Sequence, residues 1–155
     1  MTLENLLGKT LETVVTDAAS IRKLLEAAQR SLTDAHLAQL SSEGRFDMAY
    51  KAIMQSANAA LQANGYRTLT SKPGHHQTMI QSLPRTIGLD VQAMLLLDAL
   101  RKQRNVIDYS GDVVSASMAS EALKQAELLL QQVISWLREN HPPLLPVIPP
   151  QPKNQ

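Results

Sequence analysis

Asp90-Val91-Gln92-Ala93-Met94-Leu95-Leu96-Leu97-Asp98-Ala99-Leu100-Arg101-Lys102-Gln103-Arg104 is the stretch on which the fold is decided. It holds no Gly or Pro and is rich in Leu, Met and Ala, residues that lose little side-chain freedom in a helix. Asp90 is a good N-cap, and Ser110-Gly111-Asp112 supplies the turn that ends the segment. The run Val91, Met94, Leu95, Leu96, Leu97 and Leu100 is more apolar than a surface helix needs, which predicts a central helix.

Helical spacing extends outward from this segment in both directions. Upstream, Ile21, Leu24, Leu25, Ala28, Leu32 and Ala35 form one stripe, with Thr16 or Asp17 as cap and an end near Leu40. Ser41, Ser42 and Gly44 break the pattern. A second stripe follows through Phe46, Ala49, Tyr50, Ile53, Ala57, Ala60 and Leu61, stopped by Asn64-Gly65. Tyr66 to His76 reads as the main loop. A short helix over His76 to Leu83 is ended near Pro84. Downstream, Ser115 or Ser117 opens a last helix with Ala119, Ala122, Leu123, Ala126, Leu130, Val133 and Leu137 on one face. His141-Pro142-Pro143 ends it. The prediction is an all-α, up-and-down bundle of about four to five helices. It divides into a 1–16 N-terminal arm or short helix, a 17–140 helical domain and a 141–155 proline-rich tail.

Composition agrees with that class. Of 155 residues, 44% are hydrophobic and only 3% aromatic, which suits close helix packing better than stacked sheets. The chain has no Cys, which excludes disulfides, thiol nucleophiles and Cys-based zinc sites. The net charge of +1 argues against a broad grip on duplex DNA, but it leaves room for a small basic site. The start, Met1-Thr2-Leu3-Glu4-Asn5, lacks the basic residues and apolar run of a signal peptide, and no run reaches membrane-spanning length. The expected compartment is the cytoplasm. Six of the eight prolines lie from Pro142 onward, a composition that favours extended polyproline II.

Two clusters of functional groups stand out. Arg101-Lys102-Gln103-Arg104-Asn105-Val106-Ile107-Asp108-Tyr109 closes the long helix. Arg101 and Arg104 share a face, and the Arg104 fork can hold a phosphate through two hydrogen bonds. Asn105, Asp108 and Tyr109 add polar groups beside it. The structural alternative is that these cations answer the helix dipole and Asp108 pairs with an arginine. The second cluster is Lys72-Pro73-Gly74-His75-His76. Its imidazoles can act as acid and base near neutrality, or simply cap and pack the short helix. Neither cluster has metal-ligand spacing, so no metal is expected. No Walker, Rossmann, G-x-S-x-G or H-E-x-x-H motif occurs, and no cofactor is expected. Tyr50 reads as a buried ring whose hydroxyl finds one partner, and the lone His36 as structural.

Taken in order, Glu43-Gly44-Arg45-Phe46-Asp47-Met48-Ala49-Tyr50, Gly65-Tyr66-Arg67, Gly74-His75-His76, Leu83-Pro84 and Arg104-Asn105-Val106-Ile107-Asp108-Tyr109 resemble a bacterial branch of the HEPN superfamily. The resemblance spans about Ala18 to Leu137. It implies a helical bundle that usually homodimerises, and often a metal-independent endoribonuclease of a toxin–antitoxin, CRISPR or other defence setting. Some members act with a nucleotidyltransferase-type or antitoxin partner protein. The family motif is an Arg, four to six residues, then a His, and Arg104 and Asn105 match its start. Asp108-Tyr109 stands where the His belongs. Cleavage through the 2′-hydroxyl needs a proton acceptor, a donor and a cation. Tyr109, with a reference pKa of about 10, is roughly 0.1% ionised at pH 7 and a poor base. The standard nuclease site is therefore incomplete.

Three functions follow as expectations. The first is a HEPN-like protein that binds RNA, a nucleotide or a partner protein through Arg101, Arg104, Asn105, Asp108 and Tyr109. The second is a ribonuclease in which His75 or His76 reaches Arg104. The third is a purely structural dimer.

Overall fold

A computed structural model describes residues 2–71 and 73–145. The fold is an all-α bundle with one two-stranded ribbon: β1 (Leu11–Thr13), α1 (Ala18–Ala35), α2 (Ser42–Ala63), β2 (Tyr66–Thr68), α3 (His75–Gln81), α4 (Leu83–Thr86), α5 (Val91–Ser110) and α6 (Ala116–Asn140). Single 3-10 turns cover Leu3–Leu6 and Pro142–Leu144.

Side-chain caps explain where α1, α2 and α6 begin, whereas Asp90 holds the N-cap position of α5 without a side-chain cap hydrogen bond. Asp17 accepts from the Ala19 amide at 3.1 Å and from the Ser20 hydroxyl at 2.8 Å. Ser41 Oγ accepts from Gly44 N at 3.0 Å, and Ser115 Oγ from Met118 N at 3.1 Å. Each pairing satisfies a backbone donor that has no partner within its helix.

The centre of the bundle is α2, not α5. Phe46, Ala49, Ala52, Ile53, Ala57, Ala59, Ala60 and Leu61 are all buried, so α2 is covered on several sides, chiefly by α1 and α6. Its run of alanines lets those neighbours approach closely, towards the lower limit of about 8 Å between axes. By contrast, only Leu97, Asp98 and Leu100 of α5 are buried, and Val91, Leu95 and Leu96 are about half exposed. This helix lies at the edge, mainly against α3. The expectation of a central helix here came from counting apolar residues in the run. A run rich in leucine on every face does not say which face will find a neighbour, whereas the small side chains of α2 permit burial on several sides at once.

Other boundaries also move. The first helix stops at Ala35 rather than near Leu40, because Arg45 reaches back to hold its end: Nε donates to Ala35 O at 2.8 Å and Nη2 to Leu37 O at 2.9 Å. Gly44 lies inside α2 rather than breaking it. A Cβ there would stand 2.9 Å from Leu40 Cδ1, so a larger residue requires that flexible side chain to shift. The helix expected over His76 to Leu83 is two helices joined at Ser82, with Pro84 in the first turn of α4, where its missing N–H does no harm.

The expected main loop supplies β2. It pairs antiparallel with β1, matching Leu11 with Thr68 and Thr13 with Tyr66, and so binds the N-terminal arm to the helical body. Three-residue strands are too short to show alternation, which is why the pattern missed them. At the other end, Leu144 and Leu145 pack against the core, and their 3-10 turn touches α1 and α6. The proline-rich tail thus begins as part of the bundle; residues 146–155, on which the polyproline expectation mostly falls, lie outside the described residues.

Candidate functional site

Along one face of α2, Asp47, Tyr50, Lys51, Met54, Gln55 and Asn58 recur at helical spacing. This face forms the floor of a cleft of about 420 Å³. Leu24 from α1, His76 and Met79 from α3, and Arg104 from α5 complete its wall. The two clusters singled out in the sequence therefore contribute to one site within one chain.

Tyr50 lies between them. Its ring is 3% exposed, and the Arg104 guanidinium carbon stands 4.7 Å from the ring centroid, a cation–π contact. The hydroxyl lies 3.2 Å from His76 Nδ1. His75 packs edge-on against His76 with centroids 4.9 Å apart. Gly74, at φ +82°, turns the chain into α3 in a conformation that side chains rarely adopt, and so places both imidazoles at its start.

The charge states follow from the surroundings. Burial pushes the Tyr50 phenol above its ordinary value, more than Arg104 and Arg101 pull it down. Burial, then the neighbouring His75, Arg104 and Arg101, pushes His76 below its ordinary value. At neutral pH the pair is a phenol and a neutral imidazole. Either tautomer satisfies this contact: the phenol donates to Nδ1, or Nδ1–H donates to the phenol oxygen and leaves the Nε2 lone pair free. Two buried donors or acceptors in this region, Arg104 Nε and His75 Nδ1, have no hydrogen-bond partner among the described residues.

The other predicted site residues go elsewhere. Arg101 Nε donates to Asp98 Oδ1 at 2.7 Å. Asp98 is 4% exposed and also meets Gln81 Nε2 at 3.4 Å and Lys102 Nζ at 3.7 Å. Burial works to raise the Asp98 carboxyl, but the Arg101 hydrogen bond and charge, with Gln81 and Lys102, hold it below the usual carboxylate range. Arg101 is thus engaged within the fold. Asn105, Asp108 and Tyr109 are exposed on α5 and do not line the cleft, and Tyr109 is 94% exposed. The motif Arg104-Asn105-Val106-Ile107-Asp108-Tyr109 does not converge on one point. His36 pairs with Glu127 and ties the end of α1 to α6.

Sequence reasoning missed Lys51, Gln55 and Asn58 as cleft residues. Their signal was their spacing from Tyr50 on the polar edge of the α2 stripe. Among the described residues no group of three His, Asp or Glu side chains stands close enough to hold a metal ion, and no helix is long and apolar enough to cross a membrane. Compared with known protein families, curated proteins and solved structures, the chain matches none.

Proposed function

We propose that this chain is a HEPN-like protein that binds RNA or a nucleotide through the Arg104–Tyr50–His76 cleft, acting in the cytoplasm within a toxin–antitoxin or defence-type module, without standard HEPN nuclease activity. The observation that carries this reading is Arg104. Its guanidinium lines the cleft above the Tyr50 ring, with Nε buried and without a hydrogen-bond partner among the described residues. Among the described residues no carboxylate pairs with it, in contrast to Arg101 beside Asp98. A phosphate oxygen supplies both the acceptor and the counter-charge, and Lys51 at the rim offers a second cation. The absence of a His at the motif spacing after Arg104 argues against the standard nuclease.

One observation favours a second reading, a metal-independent endoribonuclease: His76 shares the cleft with Arg104. There the neutral imidazole takes the 2′-hydroxyl proton as the 2′-oxygen bonds to phosphorus. Arg104 balances the phosphorane charge, and the P–O5′ bond breaks with water protonating the leaving oxygen. Both readings meet one experiment: binding and cleavage of labelled single-stranded RNA in EDTA by wild type, His75→Ala and His76→Ala. The expected result is binding without cleavage, with a double-logarithmic salt slope of about −1.4 for two phosphate contacts. Cleavage lost in His76→Ala establishes the second reading, and no binding at low salt removes both.

The partner we propose is a second copy of the chain, docked on α5. Leu95, Leu96, Val106 and Tyr109 form an exposed apolar stripe along this edge helix. Sedimentation should give twice the protomer mass, and Leu96→Asp with Val106→Asp should halve it; a wild-type monomer at high concentration contradicts the docking. A nucleotidyltransferase-type or antitoxin protein is a further partner that the HEPN likeness implies.

A further inference from the structure

Beside the phosphate position proposed above, the cleft has a second half of different chemistry. Leu24, Met48, Met54 and Met79 give it an apolar, adaptable wall. Gln55 and Asn58 stand at its edge, one helical turn apart on α2 and side by side. Both are held in one orientation. The buried Ser31 hydroxyl donates to Gln55 Oε1 at 3.1 Å, and Gln62 Nε2 donates to Asn58 Oδ1 at 3.2 Å. With each carbonyl oxygen accepting within the fold, the NH₂ of each side chain is the group left to donate. The volume of about 420 Å³ lies near the lower end of the ~300–1,000 Å³ typical of small-molecule sites, which suits one nucleotide, free or as one residue of a strand.

We infer that the cleft reads a single nucleotide, with a keto-bearing base, guanine or uracil, seated on the methionine wall and its carbonyl edge accepting from Gln55 and Asn58. This rests on the reading that Arg104 holds the nucleotide's phosphate. Two adjacent donors complement the edge that carries guanine O6 and N7 or uracil O4, where adenine and cytosine instead present an exocyclic amino group, donor to donor. Asp47 at the rim adds a negative charge that disfavours further phosphates on that side.

Calorimetric titration of the intact chain with GMP, UMP, AMP and ribose 5-phosphate tests the inference. GMP or UMP should bind about tenfold tighter than AMP. Gln55→Leu together with Asn58→Leu should bring that ratio to within about twofold, and Asn58→Asp, which swaps donor for acceptor, should turn it toward AMP. Wild type binding all three nucleotides alike overturns the base reading while leaving phosphate binding standing. A preference that survives the leucine variants, with their melting curves intact, does the same. Failure of every probe, ribose 5-phosphate included, takes away the phosphate reading and this inference together. The wild-type comparison needs no variant and so does not depend on any substitution folding.

Discussion

Arg101→Leu is expected to lower the unfolding free energy by about 3–5 kcal/mol, read as a shift in the urea midpoint at unchanged slope. The size follows from what is left behind. Asp98 is 4% exposed, and its closest partner is Arg101 Nε at 2.7 Å. Without Arg101, the carboxylate keeps only Gln81 at 3.4 Å and the outer Lys102 at 3.7 Å. Replacing both partners with leucine should recover much of the loss, because a buried ion pair contributes little over an apolar pair of similar volume.

The pH dependence separates this account from lost packing. In wild type the Asp98 carboxyl is held below its ordinary 3.8. Its contribution is therefore complete above about pH 5 and is lost as pH falls through the ordinary value toward the depressed one. In Arg101→Leu, burial is left to dominate and raises the carboxyl, so protonation relieves the cost well before pH 4. The gap between the two proteins should be widest at pH 7 and close on acidification. A gap constant from pH 7 to pH 4 contradicts the ionic origin.

The Asp98 case also marks how far the sequence could be read. The helices were legible because Asp17 and Ser115 announce starts and Ile21 to Ala35 or Ala119 to Leu137 keep helical spacing, whereas Ser41 read only as a break. Which helix sits at the centre was not legible. That depends on which faces find neighbours, and small residues such as Ala52 and Ala59 look unremarkable until two helices close over them. For the site, Arg104 and the two adjacent histidines could be picked out as functional groups, and the structure brings Arg104 and His76 to one cleft. The division of labour within the basic motif was hidden. Arg101 and Arg104 share a face, but the offset of about 60° between positions three apart gives Arg101 to Asp98 and Arg104 to Tyr50. Tyr50 itself read only as a core ring, because the group that meets its hydroxyl is 26 residues away.

Arg104→Ala carries the largest expected functional effect. A guanidinium donating charged hydrogen bonds to phosphate contributes about 1.5–3 kcal/mol, so affinity for single-stranded RNA should fall roughly 10- to 150-fold. Stability should change far less. The variant loses a cation–π contact worth about 0.5–2 kcal/mol and at the same time removes a buried, unpartnered Nε that costs about 1–3 kcal/mol. Arg104→Lys keeps the charge but not the fork or the stacking on Tyr50, and should recover only a small part of the affinity. His76 then supplies an independent handle on the same cleft. Its pKa lies below the ordinary 6.5 in the free protein. Stability tied to His76 is thus complete above about pH 6.5 and shrinks as pH falls toward the depressed value. A bound phosphate favours the imidazolium, so RNA should bind more tightly between pH 7.5 and 5.5 even as the free protein loses stability there. His76→Asn should flatten the binding profile while leaving the Arg104 dependence in place. Equal affinity of Arg104→Ala and wild type at low salt would mean that the unpartnered guanidinium serves only to cover Tyr50, and phosphate binding in this cleft would have to be given up.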